Sequence, residues 1–267
     1  MGLILCEKYD VKHPLYVNIL GIRIYSLEEL CYIIYEYPLL VIDDFVGDKL
    51  FSFLLDDLNL GMSAVHMKKK KADGYHDEDI LIDILSYSDY YTPAEVDKYK
   101  LKLASYRQLE RHEYLKQKAD FMFSIQKYSN AVRFYESALA ECPKNDTFKA
   151  SIESNIGCCF ANMFNYDKAF DSFVESYKTE KNANAVKNIY YLSIVEPVIE
   201  KKQQYMAYVE DKVNAQWDSD YNKAVADAHN SEEISKLNEV FNKDSVKRNR
   251  EITKIFNTWK QDYRNMA

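Results

Sequence analysis

The sequence from Lys127 to Leu139 (KYSNAVRFYESAL) returns in altered form from Asn165 to Tyr177 (NYDKAFDSFVESY), with a period of 38 residues when Ala131 is set on Ala169. Self-similarity at such a period marks an array of supersecondary units, each too small to bury its apolar face alone. The spacing inside the first copy is helical. Tyr128, Ala131, Tyr135 and Ala138 follow one another at intervals of three, four and three, which places them on one face of a helix. Small side chains on that face let a neighbouring helix approach closely, and the aromatic rings fill the gap to the next unit.

This pattern resembles the second helix of the tetratricopeptide repeat, in which an aromatic, a small, an aromatic and a small residue recur at these intervals. The first helix of that unit carries Asn-Leu-Gly followed by an aromatic residue three positions after the Gly. Here Asn155-Ile156-Gly157 is followed by Phe160. Leu115 and Ala119 stand at the large and small places of the preceding unit, and Pro143 closes that unit. A third unit, with Asn188-Ile189-Tyr190, begins its pattern 33 residues after Asn155 but has Tyr190 where the family has Gly, and Pro197 opens its second helix. The resemblance spans residues 111 to 211 and implies an all-α, α-solenoid fold of helical hairpins. About three repeats are needed to bury a continuous core, so the flanking helices are expected to cap the array.

The rest of the chain divides around this region. Residues 1–25 form an N-terminal segment in which Leu15 to Tyr25 admits a short β-hairpin turning near Leu20-Gly21. Residues 26–91 read as a helical N-terminal region: Ser26-Leu27-Glu28-Glu29 is a capping box, and Tyr37-Pro38 ends the helix that it starts. Residues 92–196 hold the repeats, led by a long helix with Thr92 at its N-cap and Pro93 at its first position. In residues 197–267, one stripe runs through Met206, Val209, Val213, Trp217 and Tyr221, and another through Ile252, Ile255, Trp259 and Tyr263. These predict long C-terminal helices forming an antiparallel hairpin or short coiled coil, the expected place for self-association. The stretch from Ile24 to Tyr32 also resembles proteins of low-GC Gram-positive bacteria that carry no assigned activity.

Only 6 Gly and 5 Pro interrupt the 267 residues, which suits long helices. The net charge of −7 gives no general basic footprint for nucleic acid or anionic lipid. The exception is the run Lys68 to Lys71, read as a solvated helix end. Cys6, Cys31, Cys142, Cys158 and Cys159 lack zinc-ligand spacing and suggest a reducing compartment. The first residues, Met1 to Glu7, lack a signal peptide's basic start, and Cys31 to Phe45 is broken by Glu36, Pro38 and Asp43-Asp44. A cytoplasmic protein without a membrane partner is expected.

No phosphate loop, nucleophile elbow or metalloprotease motif is present. The acidic group Asp77, Glu78, Asp79 and Asp83 beside His76 is accounted for by the macrodipole of a helix start. No catalytic residue, cofactor or metal is expected. The family resemblance instead implies a protein–protein scaffold whose first helices line a concave groove for a partner peptide or helix. Its groove places fall on Lys116, Gln117 and Asp120, on Asn155 and Asn162, and on Lys187, Asn188 and Tyr191. Asn155 and Asn188 occupy equivalent places. One reading makes them a ladder for a partner's backbone; the other has them bridge helices within the array. Asp120, Asn184 and Asn188 depart from the set by which some members clamp a C-terminal carboxylate, so acidic chaperone tails are not expected ligands. Two other readings stand beside the scaffold: a peptide-sensing transcriptional regulator, which would need a basic recognition helix within residues 26–89, and a helical enzyme with no recognisable motif.

Overall fold

The computed structural model describes residues 10–43, 45–181 and 183–266, so Cys6 and the leader reading of the first residues lie outside it. The fold is all-α apart from one hairpin, and the backbone packs as two units, residues 1–110 and 111–267.

In the first unit, β1 (Leu15–Val17) and β2 (Ile22–Ile24) pair antiparallel, with Leu15 opposite Ile24 and Gly21 supplying the positive φ of the turn. Helix α1 (Leu27–Glu36) starts where expected but with half of the box: the Glu29 amide donates to Ser26 Oγ at 3.1 Å, while the Glu29 carboxylate reaches past the cap to accept from the Tyr25 amide at 2.6 Å. After it come α2 (Pro38–Val41) and α3 (Asp48–Ser52), which continues as a π-helical turn over Phe53–Asp57. Helices α4 (Gly61–Ala72), α5 (Asp77–Tyr87) and α6 (Pro93–Arg107) complete the unit, with α5 packed against α1, α4 and α6. Its core includes Leu30, Ile34, Leu50, Leu54, Ile80 and Leu85, all buried. Tyr35 stacks between Tyr91 and Tyr99 at centroid distances of 4.1 and 5.7 Å. Although α6 leads into the repeats in sequence, it belongs to this first unit.

The second unit is a succession of antiparallel pairs: α7 (Arg111–Ser124) with α8 (Tyr128–Glu141), α9 (Asp146–Asn162) with α10 (Tyr166–Glu180), and α11 (Ala183–Val195) with α12 (Ile199–Val209). Each helix packs on the next, α8 on α9 and α10 on α11, which makes the arrangement solenoid-like. The period reaches the backbone itself. Gln126 and Phe164, 38 residues apart, both take left-handed conformations (φ 60° and 59°) in the turns that close the first two pairs.

Small residues sit where the helices meet: Ala119, Ala131, Ala138, Ala150 and Ala169 are fully buried. Gly157 is the tightest point. A Cβ built there would lie 2.6 to 2.9 Å from three ring atoms of Phe173, which is itself only 2% exposed.

The C-terminal stripe is divided more finely than the spacing suggests. A 3-10 turn (Glu210–Lys212) follows α12, and Asn214 then caps α13 (Ala215–His229) by accepting from the Gln216 amide at 2.9 Å. Beyond it are α14 (Glu232–Phe241), capped by Ser231, and α15 (Ser245–Met266). The breaks fall where Asn214 and Ser231 offer side-chain acceptors to the next helix's first amides.

Gly157→Ala should destabilise the protein, because the added methyl overlaps the Phe173 ring, which is only 2% exposed and would have to be displaced. Overpacking of about 1–3 kcal/mol outweighs the helix-propensity gain of about 1 kcal/mol. The denaturant midpoint should fall in Gly157→Ala and recover in Gly157→Ala/Phe173→Leu.

Candidate functional site

Residues expected to face a groove fall into three clusters on the first helices of the pairs. On α7, Lys116 Nζ lies 2.7 Å from Asp120 Oδ2, while Gln117 is exposed. Asp120 Oδ1 also accepts from the Tyr135 hydroxyl at 2.5 Å and, more weakly, from Asn155 Nδ2 at 3.4 Å. The same Asn155 amide group donates to Tyr135 Oη at 3.2 Å. Asn155 thus joins α9 to both α7 and α8, the geometry of a residue bridging helices within the array.

The second cluster forms a pocket of about 330 Å³ between α9, α10 and α11. Cys158, Asn162, Phe164, Tyr166, Asn188 and Tyr191 are among its walls. Asn162 Nδ2 donates to its own helix at Cys158 O (2.8 Å), and Asn188 Nδ2 approaches Cys158 Sγ at 3.8 Å. Both amide oxygens remain available to a ligand's donors. Of the eight residues singled out for the groove, Asn162, Asn188 and Tyr191 are brought together here; Asn155 is not among the lining residues.

The third cluster is already engaged. Lys187 Nζ pairs with Asp220 of α13 at 2.7 Å, and the ammonium also sits over the Tyr191 ring. Tyr190 donates its hydroxyl to Asp218 and packs on Trp217 at 5.7 Å, and Tyr191 lies 6.1 Å from Tyr221. Helix α13 therefore meets α11 through these side chains. Tyr190, standing where the repeat pattern has Gly, supplies the ring and hydroxyl that receive it. Spacing alone marks Trp217 and Tyr221 as apolar but does not show that Asp218 and Asp220 are their companions in this contact.

The acidic group at the start of α5 is occupied by cations. Asp83 pairs with Lys70 at 2.6 Å, Asp77 with Lys71, and Glu78 with Arg107. The basic run at the end of α4 is thereby neutralised in part, and its Lys68 reaches Asp48 at 3.9 Å. Among the described residues, no group of three or more His, Cys, Asp or Glu side chains has the arrangement of a metal site. The four described cysteines are free thiols. Burial pushes the Cys159 thiol up to about 12 and raises Cys158, so neither is an activated nucleophile at neutral pH.

No family model matches this chain, nor does any curated protein or solved structure. No helix among the described residues is long and apolar enough to cross a membrane.

Three hydroxyl-to-carboxylate contacts recur between helices: Tyr135 to Asp120, Tyr190 to Asp218, and Tyr205 to Asp167 at 3.0 Å. Burial first, then the Asp partner, raises Tyr135 and Tyr205; for Tyr190 the Asp218 hydrogen bond leads and the phenol is pushed up to about 12. The unfolded chain releases these protons near the ordinary value of 10, whereas the folded chain retains them. Stability is therefore fully present below pH 10 and is lost as pH rises through the folded values, since the unfolded state binds fewer protons there. Denaturant midpoints measured across this alkaline range should fall steadily, and more shallowly in Tyr135→Phe/Tyr205→Phe relative to that variant's own value at neutral pH.

Proposed function

We propose that residues 111–211 form a tetratricopeptide-type array that acts without catalysis, as a scaffold holding a peptide or helix of a partner protein. The observation that carries this reading is the pocket between α9, α10 and α11, where the Asn162 and Asn188 amides stand among Phe164, Tyr166, Tyr191 and Val195. A mostly apolar concavity with a few polar groups suits one or two side chains of a docked segment, with the amides satisfying its backbone. The close approach at Gly157 and the matched turns at Gln126 and Phe164 support the family assignment. The protonated, buried thiols support a non-catalytic role.

Phe164 adds a contact that the spacing of groove positions does not mark. It is 68% exposed despite its size and is held at positive φ, a conformation a bulky residue rarely adopts. An aromatic ring displayed this way is a natural anchor for a partner. Lys116, Asp120 and Asn155 maintain the neighbouring pair, and Lys187 fastens α13.

Affinity capture with the intact protein tests the reading. A stoichiometric protein partner should be recovered by the wild type and by Asn155→Ala, and lost about tenfold or more with Phe164→Ala/Asn188→Ala, a loss equivalent to about 1.4 kcal/mol. Equal recovery by the pocket variant would move the docking surface elsewhere. Recovery of nucleic acid alone would favour the regulator.

A further inference from the structure

Helix α15 differs from the rest of the molecule in charge. Its 22 residues carry six cations, Lys247, Arg248, Arg250, Lys254, Lys260 and Arg264, against Glu251 and Asp262. That is a net +4 within a chain of −7, which leaves −11 on the remainder. At about 100° per residue, Ile252, Ile255, Phe256, Trp259, Tyr263 and Met266 fall within one arc of about 100°. Every cation except Arg248 lies outside that arc.

This apolar arc is only partly covered. None of the helix is buried; Ile252 and Ile255 are half-buried, whereas Phe256, Trp259 and Tyr263 are 51%, 52% and 46% exposed. Helix α14 packs beside it. At its far end, Tyr263 approaches Phe164 at 6.4 Å, and Lys127 Nζ donates to the Asn265 carbonyl at 3.1 Å. Lys247 pairs with Asp244, while Arg248, Arg250, Lys254, Lys260 and Arg264 make no ion pair among the described residues.

We propose that α15 is an interfacial helix that docks the protein on an anionic lipid surface, lying in its plane with the aromatic arc inward. A broad cationic face opposite Trp, Tyr and Phe, combined with low mean hydropathy, is the composition of helices that lie on a bilayer rather than cross it. Trp and Tyr prefer the headgroup level, where an apolar ring and a polar tip are both satisfied. The cations are spread along a helix of about 33 Å with no focus on one point, which fits a diffuse sheet of phosphate better than a discrete carboxylate on a protein. The −11 of the remainder is repelled by the same surface, so attachment runs through α15. The balance of the whole chain conceals this helix.

Full-length protein in a Trp217→Phe background, with Trp259 as the remaining tryptophan, is mixed with extruded vesicles of phosphatidylglycerol and phosphatidylcholine in equal parts, or of phosphatidylcholine alone. Trp259 emission should shift to the blue and the protein should co-sediment with the anionic vesicles. Binding should be about tenfold or more weaker to neutral vesicles and in roughly half-molar salt. Phe256→Ser/Trp259→Ser, made in the native Trp217 chain and read by sedimentation, and Lys254→Glu/Lys260→Glu should each lose binding while keeping their helical circular dichroism. Equal partition into neutral vesicles, no binding to either, or unchanged binding by both variants overturns the proposal. So does a dimer that dissociates in Phe256→Ser/Trp259→Ser without any vesicle binding, since the face then belongs to a second copy.

Discussion

The missing side chain at Gly157 lets the Phe173 ring of α10 lie against the backbone of α9, and the spacing of these two helices within the second pair depends on that contact. Ala131 and Ala169 do the same at the equivalent place of each second helix, both fully buried. Close approach is what turns amphipathic helices into one continuous core, because dispersion and apolar burial both fall away once a methyl-sized gap opens. Polar contacts then set the register. Tyr135, Tyr190 and Tyr205 each place a hydroxyl on a carboxylate from another helix, so each ring contributes packing at its body and specificity at its tip.

The same contacts sort the surface. Asp120 accepts from Lys116, Tyr135 and Asn155 together, so that cluster is committed to holding α7, α8 and α9. Lys187 and Tyr190 are committed to α13. The pocket around Asn162 and Asn188 is left with polar capacity unspent, and Phe164 stands at its mouth. In α15 the position is reversed: a helix with little packing retains its charge and its aromatic arc.

Much of this was legible in the chain, for identifiable reasons. Tyr128, Ala131, Tyr135 and Ala138 could be placed on one buried face because helical periodicity is a local property, and the echo 38 residues later fixed the second pair. Ser26 and Thr92 were readable as caps because a cap needs only the next three residues. The π-helical turn at Phe53–Asp57 was not readable, since nothing local distinguishes it from a continued helix. The docking of α13 on α11 was hidden because it depends on Asp218 and Asp220 meeting residues about 30 positions earlier. Asn155 and Asn188 are equivalent by repeat position, yet one meets Asp120 and Tyr135 and the other Cys158, a difference made by neighbours on other helices. The cationic face of α15 was hidden by averaging charge over all 267 residues.

The contact between Gly157 and Phe173 is open to direct observation by nuclear magnetic resonance on protein selectively labelled at Gly and Phe. If the helices nest as described, the Gly157 α-protons will show strong Overhauser effects to the Phe173 ring and ring-current-shifted resonances. A Gly157 signal at ordinary shift, with no effect to any phenylalanine ring, would contradict the account.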